Sequence, residues 1–129
     1  MFETLVTMAG RLVDDPVQRR TGDGTVWARF RLVSTERRYD AEIADWVDGN
    51  VMFVSVHCWR TVGRNALSTL KRNDPVIVHG RMRIYGQTTE LADNRDVQID
   101  AYHLGLDLSR CDDVVRSAAT EHAALAAVA

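Results

Sequence analysis

The chain has 129 residues, of which 46% are hydrophobic and 26% are charged, a composition typical of one globular domain that excludes a multidomain machine. Sixteen Lys and Arg against 18 Asp and Glu give a formal net charge of −2, which by itself argues against binding to nucleic acid. Fifteen of the basic residues are arginine. Coding bias explains this simply, although a guanidinium also stacks and binds phosphate bidentately.

No stretch approaches the roughly 18 apolar residues of a membrane span, and MFETLVTMAG lacks the basic start and apolar core of a signal peptide. A cytoplasmic protein without membrane association is therefore expected. Cys58 and Cys111 have neither CxxC nor Cys/His ligand spacing, so both are expected to be reduced and structural. The sequence implies no metal and no cofactor.

The first half of the chain predicts three strands. Residues 4–13 are rich in β-formers and end at the breaker Asp14-Asp15-Pro16. After a turn at 21–24, residues 25–35 alternate, which places Val26, Ala28, Phe30 and Leu32 on an apolar face and Trp27, Arg29 and Arg31 on the other. Residues 36–50 are polar, carry the turn signal Asp48-Gly49-Asn50, and predict a long hairpin loop.

Residues 51–60 resume the two-residue period. The core face is expected to hold Met52, Val54, Val56 and Cys58, and the outward face Phe53, Ser55, His57 and Trp59. Residues 61–74 have helical spacing over about three turns. Residues 75–86 predict a fourth strand with a bulge or bend at Gly80, 87–94 a polar loop, and 95–108 a fifth strand.

This order of elements predicts a mainly β protein: an OB-fold, a five-stranded Greek-key barrel with one helix between strands 3 and 4, over residues 1–108. Residues 109–129 are alanine-rich and predict a helical C-terminal tail, either docked or frayed. OB-folds bind oligonucleotides or oligosaccharides, and the fold does not choose between them.

Aromatic side chains interleaved with arginines favour single-stranded DNA, because every base offers a face for stacking and every nucleotide a phosphate. The expected contact residues are Trp27, Arg29, Arg31, Arg37, Arg38, Tyr39, Trp46, Phe53, Trp59, Arg81, Arg83 and Tyr85. Phe53 and Trp59 could instead be core aromatics, and Trp27 could pack against the tail or a subunit. The net charge supports the DNA interpretation when it is counted by region, because residues 11–86 carry a net charge of +4 and the rest of the chain carries −6.

Several short motifs resemble bacterial single-stranded DNA-binding proteins. They are Met8-Ala9-Gly10-Arg11-Leu12, Asp15-Pro16-Val17, Trp27-Ala28-Arg29-Phe30, Val33-Ser34-Thr35, the segment 53–60 and the segment 70–82. The resemblance implies a homotetramer of OB-folds that wraps single-stranded DNA without sequence preference in replication, repair and recombination, associated with the nucleoid. It places base-stacking aromatics at Phe53, Trp59 and Tyr85, and a further loop position near Arg38, beside Tyr39.

That family ends in an acidic tip finishing in Pro-Phe, which recruits replication and repair enzymes, whereas this chain ends HAALAAVA. Either the chain is truncated or it is a paralogue that binds DNA without recruiting, so protein partners stay open. An enzyme is not expected, because His57 and Cys58 are adjacent in a strand and point to opposite faces. The alternatives are an OB-fold protein-interaction subunit, similar to a primosome accessory protein, with weak or no DNA binding, and an RNA-binding protein.

Overall fold

The computed structural model describes residues 2–86 and 96–111 and contains six strands and one helix. In chain order they are β1 (Leu5–Leu12), β2 (Val17–Arg20), β3 (Val26–Asp40), β4 (Asp45–Trp59), α1 (Arg60–Thr69), β5 (Pro75–Tyr85) and β6 (Asp96–Leu106). The loop expected at 87–94 and the helix expected in the tail lie outside the described residues.

The strands form one sheet in the order β1-β5-β6-β4-β3-β2, and β1 also pairs with β3, which closes five of them into a barrel. β4 and β6 run parallel, and every other pairing is antiparallel. With α1 between the third and fourth barrel strands, this is the connectivity of an OB-fold, so the predicted fold class is confirmed. The additional strand β2 lies on β3 outside the barrel; its four residues are all exposed, so it has no apolar alternation to predict it.

The core fills the inside of the barrel with one residue in two from each strand. From β3 it takes Ala28, Phe30 and Leu32, and from β4 Val54, Val56 and Cys58, as the alternation predicts. Each large apolar side chain buried there stabilises the fold by about 1.5–3 kcal/mol. Met52, expected in the core, is half exposed because β4 has not yet entered the barrel at that residue. Burial raises the pKa of the Cys58 thiol to about 12, which keeps it protonated.

The predicted long loop at 36–50 is wrong. β3 and β4 continue past the barrel as a two-stranded ribbon in which Arg37 faces Asp48 and Tyr39 faces Trp46, with only residues 41–44 in the turn. The ribbon is solvated on both faces, so its sequence shows no apolar alternation. The turn signal Asp48-Gly49-Asn50 lies inside β4.

Two local features shape the barrel, one in the segment between β4 and β5 and one within β5. α1 ends at Thr69, before the predicted Asp74, because residues 71–74 form a turn in which the Asp74 carboxylate accepts a hydrogen bond from the Lys71 amide. The predicted irregularity at Gly80 is confirmed as a register shift between β5 and β6. In the described part of the chain, no helix is long and apolar enough to cross a bilayer.

Candidate nucleic-acid interface

Because alternate residues of each strand fill the core, the intervening residues of β2 to β6 share one outer surface, which we call the aromatic–arginine face. Its members are Arg19, Trp27, Arg29, Arg31, Ser55, His57, Trp59, Arg81, Arg83, Tyr85, Asp96, Gln98 and Asp100. Trp27, Arg29, Arg31, Trp59, Arg81, Arg83 and Tyr85 were expected from the sequence, and the barrel brings these seven together.

Three aromatic rings cluster where β3 pairs with the end of β4. Trp27 stacks on Trp59 with ring centroids 5.0 Å apart and 23° between the planes, and the His57 ring lies 4.6 Å from Trp27. Trp59 is 37% exposed, which excludes the interpretation of this residue as a core aromatic. Burial lowers the pKa of His57; the charge of Asp100 opposes this effect, and the charge of Arg29 adds to it.

Beside this cluster, two arginines of β3 converge on the Ser55 hydroxyl. Arg29 donates to it at 3.3 Å and Arg31 at 3.0 Å, while Ser55 itself donates to Asp96 at 2.9 Å. Arg31 also forms an ion pair with Asp96 at 2.9 Å. Burial opposes the ionisation of Asp96, but the hydrogen bonds from Ser55 and Arg31 outweigh it and lower the pKa of the carboxyl.

A second network lies on β5 and β6. Arg81 donates to Oδ2 of Asp100 at 3.0 Å, Arg83 forms an ion pair with the same oxygen at 2.7 Å, and Gln98 donates to Oδ1 at 2.8 Å. These contacts lower the pKa of Asp100 against the opposing effect of its burial. The Arg83 guanidinium also lies 4.9 Å from the centre of the Tyr85 ring, close enough for a cation–π contact.

Phe53 lies apart from this face, two residues before Ser55 on β4. It is 51% exposed, which excludes a core role, and it borders a shallow depression of about 590 Å³ that also contains Arg11, Val33 and Arg72. Arg11 donates to the Asn73 carbonyl at 3.0 Å. The depression joins an exposed aromatic ring to two arginines that come from β1 and from the turn after α1.

The ribbon carries the remaining predicted contacts: Arg37, Arg38, Tyr39 and Trp46. Tyr39 and Trp46 form an edge-to-face pair with centroids 5.8 Å apart, and both are more than half exposed. The turn between them holds Asp40, Glu42 and Asp45 with no basic residue, and Arg37 is paired with Asp48. The tip of the ribbon is therefore aromatic but acidic, and it offers stacking surface rather than positive charge.

Sequence reasoning missed several residues of these surfaces. Arg19 was not found because β2 was not predicted, and Arg11 and Arg72 because they meet Phe53 only in the folded barrel. Asp96, Gln98 and Asp100 share the polar parity of the fifth predicted strand, and that alternation was a usable signal. A separate cavity of about 390 Å³ between α1 and β6 is lined mainly by apolar side chains, without arginine.

A closed OB barrel that displays stacked tryptophans beside arginines is the architecture of oligonucleotide-binding OB domains. Residues 4–106 match the profile of the Single-strand binding protein family. The chain belongs to this family, which is named for binding and not for catalysis.

Known proteins resemble the chain in sequence. Single-stranded DNA-binding protein 2 of Streptomyces coelicolor is 36% identical over 105 residues, which cover 81% of this chain and 51% of the relative. Single-stranded DNA-binding protein 2 of Streptomyces avermitilis is 37% identical over 110 residues, covering 85% of this chain and 69% of the relative. The chain thus spans about half the length of the first relative.

Solved structures agree with the fold. The small single-stranded DNA-binding protein of S. coelicolor superposes with a TM-score of 0.76 at 34% identity, covering 86% of this chain and 100% of that one. The second single-stranded DNA-binding protein of Mycobacterium smegmatis gives a TM-score of 0.64 at 32% identity, covering 90% of this chain and 100% of that one.

Proposed function

We propose that the protein binds single-stranded DNA without sequence preference, on the aromatic–arginine face, on Phe53 beside it and on the ribbon. The observation that carries this proposal is the stack of Trp27, which is half-buried, and Trp59, which is exposed, beside the arginines of β3. Aromatic rings that lie on a surface rather than in a core are free to stack on bases, each worth about 1–3 kcal/mol. The named relatives bind single-stranded DNA, in agreement with this assignment.

The path of the DNA strand in this proposal follows the surface positions where arginines and aromatic side chains alternate. Bases stack on Trp59, Tyr85 and Phe53, while phosphates meet Arg29, which among the described residues contacts no carboxylate. Arg31, Arg81 and Arg83 each have an aspartate partner, so they exchange one anion for another when a phosphate arrives. Tyr39 and Trp46 add stacking contacts on the ribbon. Because stacking ignores base identity, the site tolerates any sequence.

Further parts of the proposal concern the assembly and its setting. A homotetramer in the cytoplasm, associated with the nucleoid and acting in replication, repair or recombination, agrees with the family to which the chain belongs. Light scattering tests the assembly and should give four times the mass of one chain. A monomer in solution would contradict the tetramer while leaving DNA binding intact.

The deciding experiment is a titration of the protein with oligo-dT, followed by tryptophan fluorescence at two salt concentrations. We expect quenching on binding and an affinity that falls with salt, with a slope of about −0.7 for each phosphate neutralised. Oligo-U of the same length measures the preference for DNA over RNA. If neither oligonucleotide quenches the tryptophan fluorescence, and the electrophoretic mobility of neither one changes when protein is added, the DNA assignment is wrong. The protein-interaction alternative then replaces it.

A further inference from the structure

Asp100 is a carboxylate placed where a nucleic-acid phosphate would be expected to bind. It lies on β6 between the β4 and β5 edges of the aromatic–arginine face and is only 6% exposed. Burying a carboxylate is costly unless it is paired, and here Arg81 and Arg83 provide the pairing through a single shared oxygen. The side chains of the two arginines are themselves more than one-third exposed, so they remain within reach of a ligand.

The pairing leaves both arginines incompletely satisfied. Each one meets Asp100 through one terminal nitrogen, Arg81 by a hydrogen bond and Arg83 by an ion pair, and the Nε atoms of both are buried without a hydrogen-bond partner among the described residues. An unsatisfied buried donor destabilises the arrangement that holds it. A guanidinium prefers a two-point contact with a planar or tetrahedral anion, which one shared carboxylate oxygen does not provide to two arginines at once. Both arginine side chains would therefore form more hydrogen bonds if they rotated toward a second anion.

We propose that Asp100 is an internal competitor of the DNA phosphates. Its carboxylate holds Arg81 and Arg83 in ion pairs, and an incoming phosphate must displace it. Asp96 plays the same part for Arg31, through the ion pair and the shared Ser55 hydroxyl. The inference rests on the proposed function, because the displacing anion is the backbone of single-stranded DNA. If the two aspartates compete in this way, they weaken the binding of single-stranded DNA. They also make that binding less dependent on salt than the number of arginines suggests.

The test compares Asp100→Asn with the parent in oligo-dT titrations at several salt concentrations between 50 and 200 mM. Asparagine keeps the size of the side chain but removes the charge that holds the arginines. We expect the variant to bind about tenfold more tightly at the lower salt, equivalent to the 1.4 kcal/mol of one decade. We also expect a salt slope steeper by about 0.7 for each arginine released.

Asp107→Asn is the matched control for net charge, since Asp107 is likewise a buried carboxylate and its ion-pair partner, Arg110, is not a member of the aromatic–arginine face. Equal tightening in both variants would mean that total charge, and not Asp100, sets the affinity. Weaker binding by Asp100→Asn would mean that Asp100 holds the arginines in their binding geometry. Either result overturns the inference, whereas a parent that does not bind oligo-dT overturns the proposed function itself.

A second comparison ties the effect to the arginines. In a chain that already carries Arg81→Gln and Arg83→Gln, the further change Asp100→Asn is expected to leave the affinity and its salt dependence unaltered. No arginine paired with Asp100 is then left to release. If Asp100→Asn does not fold by circular dichroism, Asp96→Asn replaces it, as this carboxylate is more exposed and its loss frees Arg31 alone. Tightening by Asp96→Asn supports the inference, and unchanged binding refutes it.

Discussion

Trp27 and Trp59 are direct cross-strand partners of β3 and β4, and their rings stack at 5.0 Å. The contact is local to the sheet, because residues that face each other on one side of an antiparallel pair bring their Cβ atoms within about 5 Å. One ring of the pair thus supports the other at the edge of the barrel. A base that stacks there meets a platform already held in place.

Trp59→Ala is expected to weaken oligo-dT binding by about 1–3 kcal/mol, since it removes one stacking surface. The side chain is partly exposed, so the fold should survive, with a far-ultraviolet circular dichroism spectrum close to that of the parent. Isothermal titration calorimetry measures the affinity without relying on tryptophan emission. Binding equal to that of the parent would remove Trp59 from the site.

Tyr85→Ala and Tyr102→Ala form a matched pair. Both tyrosines are 43% exposed, but Tyr85 stands beside Arg83 on the aromatic–arginine face while Tyr102 borders the cavity next to α1. We expect the first variant to lose about 1 kcal/mol or more of binding free energy and the second to bind like the parent. Equal losses would show that the strand follows a different path.

The ribbon is expected to contribute less than the barrel. Tyr39→Ala and Trp46→Ala each remove an exposed ring, but the carboxylates of Asp40, Glu42 and Asp45 repel a phosphate backbone at that end. Each variant should therefore lose less than half of the binding free energy lost by Trp59→Ala. Dissociation constants from the same calorimetry decide this, and a larger loss would make the ribbon the principal contact.

Gly80→Ala is expected to destabilise the protein by about 1–3 kcal/mol, because a Cβ atom at this bulge would overlap the backbone carbonyl of Asp100. Gly105→Ala, on the neighbouring strand β6, is the control: nothing lies within 4 Å of the added carbon. Its effect should stay within about 0.5 kcal/mol. Urea unfolding gives both values, and similar midpoints for the two variants would refute the steric argument.

His57 should make stability depend on pH below neutrality. Burial lowers its pKa in the folded state from the ordinary 6.5, so the unfolded chain binds a proton first and stability falls as the pH drops from about 6.5. His57→Gln removes that contribution. Urea unfolding at pH 7.5 and 5.5 should show a smaller drop for the variant, while the other histidines act equally in both.

The elements that were predicted correctly are those with an apolar period. The alternation of β3 identified Phe30 and Leu32 as core and Arg29 and Arg31 as outward, since a strand with one buried face must alternate. The ribbon and β2 escaped prediction because neither buries a face, so solvent imposes no pattern on them. The fold class could still be predicted, because the five barrel strands and the helix all have an apolar period and their order along the chain is that of an OB-fold.

What the sequence determined by itself is the set of side chains: aromatics and arginines at outward positions, in an order typical of an OB-fold. What only the tertiary structure decided is which charges face each other. Arg81 and Asp100 lie 19 residues apart, and Arg31 and Asp96 lie 65 apart, yet each pair is in contact. Such pairs depend on the register of β5 against β6, of β3 against β4 and of β4 against β6, relationships between strands that no local pattern contains.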